Sequence, residues 1–209
     1  MVTPGFPLPL RNALATLAIA ALEEDDARAA LAWLARPVGD PPAAARIRLV
    51  AVHLIDPDGR TLLAVHVPHA EAVTAHAARA LIAAATHQRT STHPIARAGH
   101  AVALWNQGLF FEVHEVLEDV WKTASGDHRQ ALQGVIQIAV AFHHLAHGNL
   151  RGARNLLREG RARLASVGPA ALPALDLGAL AAATGPWEDA LVAGTPLPAG
   201  PPALGRARP

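Results

Sequence analysis

The sequence predicts two dissimilar parts: an α+β domain with a β-hairpin over residues 1–92 and an all-α helical bundle over 93–193. A disordered tail is expected over 194–209. Three observations lead there. Two runs of branched apolar residues, 46–55 (RIRLVAVHLI) and 60–67 (RTLLAVHV), flank the turn signal Asp56-Pro57-Asp58-Gly59. Beyond Pro94 the apolar residues recur at helical spacing, and the breaks between runs are short. Residues 194–209 (GTPLPAGPPALGRARP) hold too many prolines and glycines for a regular element.

Residues 1–9 carry three prolines and should be irregular. Residues 10–22 and 24–35 read as helices, the second opened by acidic residues that suit a helix N-terminus. Pro37, Gly39, Pro41 and Pro42 end that pair. The two expected strands are apolar on both faces, so the alanine-rich helix expected at 69–86 should cover them. Residues 87–93 (HQRTSTH) read as a polar linker. Helices follow at about 94–106, 109–123, 128–147 and 150–166, broken at Asn106-Gln107-Gly108, Ser125-Gly126-Asp127 and Gly148-Asn149. Connections this short make consecutive helices antiparallel neighbours. A last short helix is expected at about 176–193.

The chain is 51% hydrophobic, enough for a sizeable core, yet no apolar run reaches the roughly 18 residues of a membrane span. Residues 13–22 have the length of a signal-peptide core. They follow a single arginine and run into Glu23, Glu24, Asp25 and Asp26 without a cleavage site. There is no cysteine, which removes disulfides and thiolate metal sites and makes a cytoplasmic protein the default expectation. A net charge of +1 gives no global attraction to nucleic acid. Lys122 is the only lysine, a bias of composition rather than of function.

Residues 109–121 (LFFEVHEVLEDVW) carry the most chemistry. On a helix, at about 100° per residue, His114 and Glu118 lie about 40° apart. They share a side with Phe110, Phe111, Leu117 and Trp121, where an unpaired charge is costly. The helix at 128–147 is apolar nearly all round, with one polar stripe of Gln130, Gln133, Gln137 and His144. Gly134 and Ala141 flank that stripe and allow a neighbouring helix to come close. The stripe is expected to face His114 and Glu118, with Glu115 at the edge, and Glu112 and Asp119 solvated. Trp33, Trp105, Trp121 and Trp187 read as core or interface anchors. His66, His69 and His76 read as a scattered surface set.

Three chemistries fit the polar cluster. It can be a structural hydrogen-bond network that sets helix register. It can be a metal site in which His114, Glu118 and His144, with Glu115 beside them, offer nitrogen and oxygen ligands suited to zinc, iron or manganese. It can be a catalytic site with His114 or Glu115 as general base. Residues 114–118 read HEVLE, so the second histidine of the zinc-protease motif is absent. Arg151, Arg154, Arg158 and Arg161 line one side of the next helix; they either pair with the acidic helix or bind phosphate, Arg154 and Arg161 being best placed. No nucleic-acid motif accompanies them.

Trp105-Asn106-Gln107-Gly108 leading into FFEVHEVLEDVW (110–121), then LQGVIQIAVAFHHL (132–145) and GNLRGARNLL (148–157), resemble the domain-of-unknown-function family numbered 309. The resemblance covers roughly 97–166 and implies a small all-α bundle that pairs. It also implies that His114, Glu118, Trp121, Gln137, His144 and Asn149 occupy signature positions. It implies no reaction. The leading expectation is therefore a structural or interaction module, homodimeric, without membrane or nucleic acid. The alternatives are a hydrolase-like metal enzyme using His114, Glu118 and His144, and phosphate binding by the Arg151–Arg161 stripe.

Overall fold

The computed structural model describes residues 5–87 and 94–205. The chain divides into a unit of Gly5–Arg89 and a unit running from Thr90 to Pro209. All the regular elements described are helical, and none is long and apolar enough to cross a membrane. The linker expected at 87–93 falls almost wholly outside the described residues.

The first unit holds α1 (Leu8–Ala20), α2 (Asp25–Ala35), α3 (Ala43–Ala51) and α4 (Ala70–Thr86). Helix α1 starts within the stretch expected to be irregular, because Pro7 serves as its N-cap and Pro9 falls in its first turn, where a missing N–H costs nothing. Its far end is closed by Arg28 of α2, whose guanidinium donates to the carbonyls of Ala21 and Leu22, both at 2.6 Å. Helix α4 packs Val73, Ala77, Ala80 and Ala84, spaced three and four apart, against α2, and small side chains let the two backbones approach.

The β-hairpin is not there, and the α+β reading of this unit is corrected to all-α. Residues 43–51 are helical: after Pro42 the run Ala43-Ala44-Ala45 favours a helix, which buries Ala45 and Leu49 four residues apart and leaves Ile47 72% exposed. Arg48 ties this helix to the start of α2 through Asp26, at 2.8 Å, and Glu24. The turn signal itself is sound. Asp56 accepts from the amides of Arg60 and Thr61 and from the Thr61 hydroxyl, and Gly59 takes φ +76°. Only one bridge, Ile55 to Leu62, flanks it before a 3-10 turn at Ala64–His69. With the first run coiled into α3, no strand of useful length remains, and a two-stranded ribbon alone is marginal.

The second unit is a sequential bundle of α5 (Pro94–Trp105), α6 (Phe110–Thr123), α7 (Gly126–Ala146) and α8 (Leu150–Ala165), each packed on the next. The helix expected at 176–193 is two short ones, α9 (Leu177–Ala183) and α10 (Gly185–Ala193), parted at Thr184 just ahead of Pro186. Both pack on α8. Aromatic rings bind the unit in a relay: Trp105 to Phe110 at 5.2 Å, Phe110 to Phe142 at 5.2 Å and Phe142 to Trp187 at 5.0 Å between centroids. Trp33, Trp105 and Trp187 are buried, whereas Trp121 is half-buried.

The tail expected to be disordered is held in place through residue 205. Its prolines forbid a helix but not packing: Leu204 is 2% exposed, and hydrogen bonds anchor the backbone around it. Residues 206–209 lie outside the described set.

Candidate functional site

Helix α6 buries Phe110, Val113, Val116 and Leu117, the spacing that drives an amphipathic helix onto its neighbours. His114 and Glu118 sit at the margin of that stripe, with side chains 26% and 35% exposed. The imidazole is clamped between carboxylates. Nε2 lies 3.3 Å from Glu118 Oε2 and Nδ1 lies 3.2 Å from Glu115 Oε1. The second contact is close but lacks hydrogen-bonding geometry, so Nδ1 is buried without a hydrogen-bond partner. Glu118 also faces Lys122 Nζ at 3.7 Å, and Asp119 faces it at 3.6 Å. Asp119 also accepts from Arg97 Nη1 of α5 at 3.3 Å, so one side of α6 carries Glu115, Glu118 and Asp119 against Lys122 and Arg97.

The polar stripe of α7 does not meet this group. Gln137 turns to α8, donating from Nε2 to Glu159 Oε2 at 2.9 Å and accepting on Oε1 from Arg163 Nε at 3.0 Å. Arg163 also donates to Gln130 at 2.6 Å. The reason lies in the small residues noted beside the stripe: Gly134 and Ala141 are buried, and Gly134 meets α8 at Gly160. The side of a helix that permits the closest approach captures the neighbour, and the glutamines follow it. Gln133, half-buried, lies on the same helix. His144 is bound locally, its Nδ1 3.1 Å from Asn149 Nδ2, while Asn149 caps α8 by accepting from Gly152 N–H at 2.9 Å.

The anticipated single cluster is thus three separate sets. Among the described residues, His114, Glu115 and Glu118 place one potential ligand atom each within 4.8 Å of one another, and His144 is not with them. The two carboxylates flank opposite edges of the ring, so the group offers one imidazole nitrogen and two carboxylate oxygens.

Other expectations are displaced as well. Glu112, read as solvated, is 3% exposed on the inner side of α6. His66 and His76, read as surface residues, are buried; His66 Nε2 pairs with the carbonyl of His53 at 3.1 Å, and Phe6 packs edge-on against His69 and His76. Arg161 is committed inside the unit, donating to Ala181 O at 3.0 Å and pairing with Glu188. Arg154 is exposed. Glu159 and Arg163 join the Gln137 set without prior expectation; their spacing of four, one residue before and three after Gly160, is the signal that marks them as neighbours on one side of α8.

Fold and site define this region as a helical-bundle domain. A family model described as "Domain of unknown function (DUF309)" matches residues 99–156, in agreement with the motifs at Trp105, His114 and Asn149. An uncharacterized protein of Aquifex aeolicus (strain VF5) is 32% identical over 56 residues, which is 26% of this chain and 17% of that protein. No solved structure matches the chain.

Proposed function

We propose that the unit from Thr90 onward is an interaction module that pairs with a second copy of this chain, the arginine side of α8 in one copy meeting the acidic side of α6 in the other. The observation that carries this reading is a row of charges without counterparts. Arg151, Arg154 and Arg158 are exposed and have no ion-pair partner among the described residues. They lie within about 60° of one another on α8, so each destabilises the others. Leu150, 52% exposed, stands on the same side and adds apolar surface. The acidic side of α6 is the complement, with Glu115 42% and Asp119 59% exposed. A twofold dimer makes the α6–α8 contact twice, once from each copy, which is the self-complementary arrangement that symmetry requires.

The test is light scattering on two charge-reversed chains. One carries Arg151→Glu with Arg154→Glu, the other Glu118→Arg with Asp119→Arg. Each is expected to be monomeric alone, and a mixture of the two to form a salt-sensitive heterodimer. A wild-type chain that is monomeric, or variants that dimerise as well as wild type, would sink the reading. Short RNA or inorganic phosphate binding to wild type, lost with the arginines, would put the phosphate reading in its place.

A second reading rests on the grouping of His114, Glu115 and Glu118: a divalent cation seated among the three. Elemental analysis of the purified chain beside His114→Ala tests it, and metal content that is absent or unchanged by the substitution removes it.

A further inference from the structure

Trp105 and Asn106 close α5 and were singled out as a motif, but the α6–α8 surface makes no use of them. Both grip one irregular stretch. Asn106 donates from Nδ2 to the Leu204 carbonyl at 3.2 Å and accepts on Oδ1 from the Leu204 N–H at 3.0 Å. Trp105 Nε1 donates to the Pro202 carbonyl at 2.7 Å. The Asp176 N–H donates to the Gly205 carbonyl at 3.2 Å. Leu204 is 2% exposed, the one buried side chain of 201–205.

Every one of these hydrogen bonds reads backbone. A single asparagine amide that satisfies both the N–H and the C=O of one residue is indifferent to that residue's side chain. Selectivity then rests on the burial of the Leu204 side chain. Main-chain bonds for affinity and a side-chain pocket for choice is the division of labour in recognition of extended peptides. Pro201 and Pro202, by restricting φ, lower the entropy lost when such a segment docks. Trp105 and Asn106 lie inside the stretch that the family model matches, 99–156, and the segment they hold lies well outside it.

We propose that Trp105 and Asn106 form a binding site for an extended peptide of the pattern Pro-x-Leu, which residues 202–205 fill within the chain and which a partner protein's segment of that pattern fills in exchange. Residues 194–201 are the tether, and Gly194 and Gly200 take φ of +68° and +67° along it. A short tether holds the internal segment at an effective concentration on the order of millimolar. An external peptide therefore binds the unaltered chain weakly and a chain whose own segment lacks the leucine well.

The experiment uses the full chain and a labelled, end-blocked peptide of residues 200–205 (Gly-Pro-Pro-Ala-Leu-Gly), followed by fluorescence anisotropy. Leu204→Ala is expected to bind it at least tenfold more tightly than wild type. Adding Asn106→Ala to that chain, or replacing the peptide's leucine by alanine, is expected to remove the gain. Hydrogen exchange on the unaltered chain needs no variant: excess peptide should speed exchange of the Leu204 N–H, and the alanine peptide should not. A folded Leu204→Ala chain that ignores the peptide, binding that survives Asn106→Ala, or exchange unmoved by excess peptide would each overturn the proposal. The charge-reversed α6 and α8 chains should bind the peptide as wild type does, so failure of the pairing proposal and failure of this one are read separately.

Discussion

Gly134 of α7 and Gly160 of α8 meet backbone to backbone. A Cβ added at Gly160 would stand 2.8 Å from the Gly134 carbonyl oxygen and 2.7 Å from Ile138 Cγ1. A Cβ at Gly134 would stand 3.0 Å from the Gly160 oxygen and 2.7 Å from Leu164 Cδ2, the end of a side chain that can turn away. Alanine is the better helix former by about 1 kcal/mol, but overpacking a tight crossing costs about 1–3 kcal/mol. Gly160→Ala is expected to lose stability in urea denaturation, and to lose more than Gly134→Ala. A Gly160→Ala chain more stable than wild type would mean that the helices do not cross this closely.

The Gln137 network makes a prediction about charge. Gln137 is 8% exposed and uses both ends of its amide, on Glu159 and Arg163, whose own charged ends reach toward water. Gln137→Leu strands little and should cost about 1 kcal/mol. Gln137→Glu sets a second carboxylate against Glu159 and should cost more, although it can still accept from Arg163. Thermal melts of the two variants decide this, and equal melting temperatures would show that the amide is not reading Glu159.

Arg161 caps the end of α9 through Ala181 O and pairs with Glu188 of α10. Arg161→Ala should cost about 1–3 kcal/mol, because it leaves Glu188, whose side chain is 17% exposed, without its cation. Arg161→Lys should recover only part, since one ammonium cannot reach both acceptors as a planar guanidinium does. Full rescue by lysine would show that charge alone matters there.

Asp56 should titrate below the ordinary carboxylate value. Hydrogen bonds from the Arg60 N–H and the Thr61 hydroxyl favour its ionised form, and they outweigh a small desolvation penalty. A depressed pKa in the folded state means that the stabilisation is complete above the ordinary value of 3.8 and is lost as pH falls through the lowered one. Carbon-detected NMR titration of Asp56 checks the direction. Acid melts of Asp56→Asn should lose that part of the pH dependence, and an unshifted midpoint in the native chain would refute the turn geometry.

The bundle was legible because its signals are local. The breaks at Gly108, Gly126 and Gly148, each with positive φ, punctuate α5 to α8 within two residues of expectation. The run at 46–55 misled because four to six branched apolar residues read alike in either period, and the alanines and Pro42 ahead of it decided the matter. The candidate site was legible in its members and not in its groupings. The wheel put Gln137 and His114 inside together, yet a wheel cannot say which helix lies opposite. The tail at 194–205 was misread for the same reason: composition reports that a segment cannot form a helix, not that Asn106 will hold it.

By itself the sequence determined the four helices between Pro94 and Ala165, the tight turn at Asp56–Gly59 and the residues able to do chemistry, since all three follow from neighbours a few positions apart. Tertiary structure alone decided which of those residues meet. Gln137 faces Glu159 rather than His114 because two glycines bring α7 and α8 together, and Leu204 is buried because Asn106, 98 positions earlier, satisfies its backbone. Contacts of that range depend on packing between elements, and no local pattern encodes them.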